Sequence, residues 1–404
     1  MKNVLITAGS VYGSLDDNKI VSNRARGIWA VKFAEYLQKR GNAGYGNPKF
    51  GVTLLVPDTF SSTELKAFRW QGIATRTHRG FENYQEKCLE LAPQMDAAIL
   101  AAAVVNWIPA EPVKGKMSTE GFEPGDRVDI PFVLAPRVID EMRKVNPRLM
   151  LIGCKMTSGA DRPDLIRAAY EVLQRARCHA VVANDLGSLK TKALLHPDGT
   201  IMDFDFEKGT GRRGAKDVGQ FYLHLQNLIE DEHYTTEQRG DYLTPAEEAM
   251  ARVEAYALFN RVIDRYRERF NVEVGGVRKV FGSIAVRIQG TDTVLMTRRE
   301  KSGGWEAVDP VPVTRVIHDG DRKVWTGEGR ATLNAPLLHR ICLLRRARVV
   351  LHLHEMLPGV PTQAYAPAGT VRDTMRDIAS GPAFNIEGHG FVAVLDPETL
   401  EIMT

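Results

Sequence analysis

The first half of the chain alternates between two hydrophobic periods. Short apolar runs, "NVLITAG", "GVTLLVP", "DAAILAAAVV", "LMLIGCKM" and "HAVVAND", are separated by stretches whose apolar residues recur every three or four positions: "GIWAVKFAEYLQKRG", "ENYQEKCLELAPQM", "LAPRVIDEMRKV" and "DLIRAAYEVLQRARC". Short continuous runs read as strands buried on both faces, and the longer recurrence reads as amphipathic helix. Strand and helix in alternation predict a mostly parallel α/β sheet with right-handed crossovers. The run "DAAILAAAVV" is expected to be a single, fully buried strand.

In such sheets ligands bind outside the carboxyl ends of the strands. Those ends carry small or polar residues here: Thr7-Ala8-Gly9-Ser10, Asn106-Trp107, Lys155-Met156-Thr157 and Asn184-Asp185. The change is most abrupt in "AAILAAAVVNWIPAEPVKGK", where a smooth apolar run breaks into Asn106, Trp107, prolines and lysines. One such end is an ordinary exit into a loop. Several on the same sheet edge predict a site.

Residues 204–245 are rich in glycine, arginine and acids, with helical spacing only around "VGQFYLHLQNLIE". They read as the end of a first domain plus a linker, giving domains over 1–240 and 241–404. The second opens on "TPAEEAMARVEAYALFNRVIDRYRERF", a long amphipathic helix with Thr244 as N-cap and Pro245 at its first position. Strand patterns "SIAVRIQG", "TVLMTRR", "ARVVLHLHE" and "HGFVAVLD" follow, with one clear helix, "NAPLLHRICLLRR". This half is α+β.

A chain of 404 residues is too long for one ordinary core. A net charge of +3 spread along the sequence gives no electrostatic footprint for nucleic acid or an anionic membrane. The sequence has no run of 18 apolar residues, and its start leads straight into a strand pattern, so a cytoplasmic protein is expected. Cys88, Cys154, Cys178 and Cys342 are widely spaced, which argues against a disulfide framework or a cysteine zinc site.

Across roughly residues 1 to 205, the segments "VLITAGS…LDDNKIVSNRARGIWAVKFAEYLQKRG", "AAAVVNWIP…KGKMSTEG" and "LIGCKMTSG…VVANDLGS" resemble, in order and spacing, the phosphopantothenate–cysteine ligase family. The resemblance implies a dimeric Rossmann-like enzyme that uses CTP or ATP with Mg2+ to join phosphopantothenate to cysteine through an acyl-nucleotidylate. Asn23 matches the asparagine that holds this intermediate, although it also suits the N-cap of the following helix. Lys19 stands where the family often has an arginine for the substrate. Lys116 matches the catalytic lysine at the start of a flexible loop, and Lys114 takes that place if the gap is set differently. Gly9 and Ser10 fit the first phosphate-facing turn, while Ala102 and Ala103 keep the sheet end small enough for a nucleotide to approach. Asn184 and Asp185 match the "AND" strand end beside the base, or else form an ordinary strand exit.

Several positions depart from the family. Gly9-Ser10-Val11 replaces Gly-Gly-Thr, Ala25-Arg26-Gly27 replaces Ser-Ser-Gly, Asn106 replaces an aspartate, and Arg175 and Arg177 replace lysines. These changes leave the phosphate-binding frame in place and leave the choice of base and substrate open.

In "VVLHLHEM", His352 and His354 fall on one face of a strand, and His389 sits in the turn "GHG". Such histidines serve as core, surface or metal ligands; three converging on one point suffice for a zinc site with an open position. Residues 245–404 resemble the class II aldolase/adducin family, with "FGSIAVRI", "KSGG", "PLLHRI", "HLH" and "GHG" in order. The resemblance implies Zn2+ on His352, His354 and His389, and oligomers. The family's catalytic acid should precede "PLLH", where this chain has "TLNAP"; Glu355 and Glu387 are the acids nearby.

Three functions follow. One is a nucleotide-dependent acid–amine ligase acting on small molecules as a homo-oligomer. Another is a metal-dependent lyase or epimerase with an accessory nucleotide-binding domain. The last is a nucleotide-binding scaffold without catalysis.

Overall fold

The computed structural model describes residues 1–41, 49–207, 217–239, 243–299, 310–379 and 381–403. The chain divides into two compact units. Residues 1–160, 168–197 and 203–229 form the first, and residues 161–167, 198–202 and 230–404 form the second. The main division thus falls at 229/230, where the sequence pattern sets it at 240/241.

The first unit is built on an eight-stranded, mostly parallel sheet in a mixed α/β arrangement. Its six parallel strands, in chain order, are Lys2–Thr7, Phe50–Pro57, Ala74–His78, Ala97–Leu100, Met150–Thr157 and Ala180–Asp185. Across the sheet they lie 6-5-4-1-2-3. The order reverses between Lys2–Thr7 and Ala97–Leu100, the topological switch point where α/β sheets open a crevice. Strands Thr191–Leu195 and Ile201–Asp205 extend one edge, the former antiparallel to Ala180–Asp185.

Burial follows the apolar pattern. Helix Ile28–Gly41 buries Ala30, Phe33, Ala34 and Leu37, spaced for one helical face. A fully buried Phe or Leu contributes roughly 1.5–3 kcal/mol. Helix Val218–Glu230 supplies Phe221 and Tyr222, which meet Trp29 and Phe33 at ring-centroid distances of 5.6 and 5.5 Å. The helical stretch of the expected linker therefore belongs to the first core.

The run "DAAILAAAVV" is not one strand. Ala97–Leu100 belongs to the central sheet, but Ala103–Val104 leaves it to pair in parallel with Ser10–Val11. Residues 101–104 are only half-buried. The exit of strand Lys2–Thr7 offers this segment a second pairing partner at the switch point.

The second unit contains a nine-stranded sheet. Its centre is antiparallel: Val294–Met296, Ser283–Arg287, Val349–Leu353, Gly390–Leu395 and Ala383–Ile386 lie side by side. Thr244 caps the helix that follows through a reciprocal capping box with Glu247. This helix runs Pro245–Met250, passes through a π turn at Ala251–Ala255 and resumes over Tyr256–Tyr266. Leu258, Phe259, Val262 and Ile263 pack on Ile284, Val286, Leu351 and Ala393 of the sheet. Among the described residues no helix is long and apolar enough to cross a membrane.

Candidate functional site

At the switch point the two strand exits are sewn together. The Ala102 amide donates to the Thr7 hydroxyl at 3.1 Å, the Ala103 amide to the Gly9 carbonyl at 2.9 Å, and the Val105 amide to the Val11 carbonyl at 3.1 Å. Gly9, Ser10, Ala102 and Ala103 are thereby gathered at one place. Asn23 reaches the same place: its side-chain amide donates to the carbonyls of Val104 at 2.9 Å and Ala103 at 3.3 Å. Helix Ile28–Gly41 begins downstream of Asn23, so the N-cap alternative falls away. The first turn of that helix carries no acidic residue, so no carboxylate there offsets its positive end.

The lysine loop is tied to the strand exit by two adjacent aspartates. Asp16 is buried; one oxygen accepts from the Met117 amide at 2.9 Å and from Lys19 Nζ at 3.1 Å, and the other from the Asn18 amide at 2.7 Å. These donors, led by the Met117 amide, hold its carboxyl well below the usual range. Asp17 exchanges hydrogen bonds with Gly115: the Asp17 amide donates to the Gly115 carbonyl at 3.0 Å, and the Gly115 amide donates to the Asp17 carboxylate at 3.0 Å. Gly115 lies between Lys114 and Lys116, both exposed. Lys19 and the lysine loop thus share one anchor, Asp16. Asn106 is exposed, and its carbonyl receives the Ala135 amide at 2.8 Å as the chain enters the ribbon of Trp107–Pro109 and Phe132–Leu134.

Asn184 and Asp185 are both buried at the end of their strand. Asp185 accepts from the Thr157 hydroxyl at 2.7 Å and from the amides of Gly187, Gly159 and Ala160 at 2.8, 3.2 and 3.2 Å. The Thr157 hydroxyl, followed by these amides, lowers its pKa to about 2. Its carboxylate shapes the neighbouring loop.

In the second unit, ligand atoms of His352, His354 and His389 lie within 4.8 Å of one another. His352 Nδ1 is 2.9 Å from the Phe391 carbonyl, which can only accept, so this nitrogen carries the proton and Nε2 a lone pair. That Nε2 is 2.9 Å from His389 Nε2. The His354 ring stacks on Phe281 at 5.1 Å and 20°. At the position of the expected acid stands a buried hydroxyl–amide set: Ser283 Oγ is 2.6 Å from Thr332 Oγ1 and receives Asn334 Nδ2 at 3.3 Å. Glu355 is turned to Arg269, and Glu387 is exposed. The segment "KSGG" lies outside the described residues.

Residues 1–205 match the family model described as "DNA/pantothenate metabolism flavoprotein C-terminal domain". The chain belongs to this family. The protein named Coenzyme A biosynthesis bifunctional protein CoaBC of Thermococcus kodakarensis is 28% identical over 219 residues, covering 54% of this chain and 49% of the relative. Its namesake in Mycolicibacterium smegmatis is 25% identical over 215 residues, 52% of this chain and 49% of the relative. The chain spans about half the length of the curated relatives it matches. The crystal structure of the DNA/pantothenate metabolism flavoprotein from Streptococcus pneumoniae aligns at 14% identity with a TM-score of 0.44, covering 57% of this chain and 99% of that one. For the second unit, several solved aldolases align only faintly; l-fuculose-1-phosphate aldolase from Thermus thermophilus gives 18% identity and a TM-score of 0.24, over 36% of this chain and 82% of that one.

Within the DNA/pantothenate metabolism flavoprotein domain, the sequence reading overlooked Asp16 and Asp17. The signal was present in "LDDNK": aspartates before asparagine favour side-chain-to-backbone turns. Their loop partners, however, lie some hundred residues downstream. The stretch "HPDGT" at 196–200 went unnoticed too, although Pro-Asp-Gly is a strong turn signal.

Proposed function

We propose that the family domain of this chain is a nucleotide-dependent acid–amine ligase in coenzyme A synthesis, joining phosphopantothenate to cysteine. The observation that carries this reading is the convergence at the switch point: Asn23 bonded to the Ala103 and Val104 carbonyls, beside the exit at Gly9 and Ser10. The relatives named for coenzyme A biosynthesis support the pathway.

A carboxylate oxygen attacks the α-phosphorus of CTP or ATP; the bond to the β-phosphate breaks and pyrophosphate leaves. The amine nitrogen of cysteine then attacks the acyl carbon, the nucleoside monophosphate departs and the amine loses a proton. Negative charge builds first on the α-phosphate and then on the acyl oxygen. Lys116 and Lys19 supply positive charge from one anchored loop pair. The carboxylates of Asp16 and Asp185 already accept several hydrogen bonds each. Bound with the triphosphate, magnesium would neutralise part of its charge.

A second reading concerns the second unit, and the histidine nitrogens favour it. We infer that His352, His354 and His389 bind zinc. Two imidazole Nε2 atoms at 2.9 Å cannot both present bare lone pairs without a cation or a proton between them. Such a donor set fits zinc, and the bound ion would supply Lewis-acid chemistry. With Ser283, Thr332 and Asn334 at the acid's position, carbon–carbon bond cleavage lacks its proton carrier.

Mass detection of phosphopantothenoylcysteine from purified protein tests the first reading. Elemental analysis of wild-type protein and His352→Ala tests the second. Absence of the product, or zinc at equal levels in both proteins, contradicts the respective reading.

A further inference from the structure

We propose that the Asp198-Gly199 turn is the positioning element of the histidine cluster: Asp198 sets His389 directly, and Gly199 sets His354 through Phe281. This rests on the zinc reading of the second unit, to which residues 198–202 belong.

Asp198 is buried. Its Oδ1 accepts from the Thr200 amide at 2.9 Å, closing the turn. Its Oδ2 accepts from the Tyr365 hydroxyl at 2.9 Å, receives the Ala368 amide at 3.5 Å and lies 3.2 Å from His389 Nδ1. Among the described residues this nitrogen has no partner in good hydrogen-bond geometry, and the Asp198 carboxylate oxygen at 3.2 Å is the acceptor that faces it. An ionised carboxylate has only acceptor sites, which places the imidazole proton on Nδ1 and bares Nε2. That Nε2 faces His352 Nε2, whose tautomer the Phe391 carbonyl fixes in the same sense. Metal-bound histidines are held in this way by a carboxylate or carbonyl behind the ring.

The next residue acts on the third ligand. Gly199 has φ of +88°, and a β-carbon there would lie 2.9 Å from Phe281 Cζ and 3.0 and 3.1 Å from its Cε atoms. Only glycine lets the turn press against this ring, and the ring stacks on His354 at 5.1 Å. One turn therefore fixes two of the three ligands. It lies in the part of the sequence matched by the family model, at residues 1–205, while its partners come from the second half of the chain.

The test uses the full-length protein, wild type and Asp198→Ala, Asp198→Asn and Gly199→Ala, each checked for folding by thermal melting. Zinc affinity is measured by competition with a chromophoric chelator. Histidine tautomers are read from long-range proton–nitrogen spectra of the zinc-loaded proteins and of the metal-free ones, a signal that a merely structural role would leave unchanged. Asp198→Ala should bind zinc about 10- to 100-fold more weakly and lose the Nδ1-protonated form of His389. Gly199→Ala should weaken zinc while sparing the His389 tautomer. Should Asp198→Ala not fold, Asp198→Asn keeps the volume and an amide oxygen that can still accept from His389 Nδ1, so its readout is zinc affinity, which should fall with the loss of the charge. Unchanged affinity and an unchanged tautomer overturn the proposal. If wild-type protein takes up no zinc, the metal reading fails, and the tautomer spectra alone decide whether Asp198 sets His389.

Discussion

A β-carbon on Gly27 would lie 2.2 Å from the backbone nitrogen of Gly9, so these two glycines pack backbone against backbone at the switch point. Gly27 also holds φ of +64°, a conformation disfavoured for any residue with a β-carbon. Gly27→Ala should cost at least about 1 kcal/mol from the backbone term alone and more from the collision. Its melting temperature and its ligase activity should fall together. A variant with wild-type melting and turnover would show that the close approach is dispensable.

Asp16 joins Lys19 to the Met117 amide and so anchors both cationic loops. Asp16→Asn keeps the size but points an N–H₂ group at some of the same donors. Amide exchange at Met117 should accelerate. A lysine displaced by about 1 Å costs on the order of 100-fold in turnover. Faster exchange without loss of turnover would mean that the loop anchor has no part in the chemistry.

Lys114 and Lys116 flank Gly115 and are both exposed, so their exposure does not choose between them. The ligase reading proposes the charge-stabilising role for Lys116, which the resemblance to the phosphopantothenate–cysteine ligase family implies. Lys116→Ala should lose on the order of 100- to 1,000-fold in product formation, as for removal of one donor to a developing anion, whereas Lys114→Ala should retain most activity. The reverse ranking would move the role to Lys114.

Asp185 and Asp16 both have lowered pKa values in the folded protein. A carboxyl depressed on folding gives stability that is fully present above its unfolded value, about 4, and is lost as pH falls through the folded value. For Asp185 this window runs from about 4 down to about 2. Denaturant midpoints of wild-type protein should drop steeply over that interval, and Asp185→Asn should flatten the drop. Parallel wild-type and variant curves would contradict the linkage.

The parallel sheet and its polar carboxyl edge were legible in the sequence because buried strands and amphipathic helices differ in period, and the polar strand ends line up only in a parallel sheet. The split of "DAAILAAAVV" was not legible. Whether Ala103–Val104 stays in the sheet or pairs with Ser10–Val11 is decided by tertiary contacts, to which alanine contributes little preference. In the second unit, the strand Val311–Ile317 escaped because Pro312 and Arg315 break its alternation, and its register is irregular between Val313 and Arg315. The convergence of His352, His354 and His389 was readable from motif order. The roles of Asp16 and Asp198 were not, since Met117 and His389 lie far along the chain and only the folded structure brings them close.

The most direct measurement is pyrophosphate release by purified protein given phosphopantothenate, Mg2+ and either CTP or ATP, with and without cysteine. A ligase acting through an acyl-nucleotidylate releases pyrophosphate only when phosphopantothenate is present, turns over with cysteine, and loses this activity in Asn23→Ala. No pyrophosphate with either nucleotide would contradict the ligase assignment of the first unit.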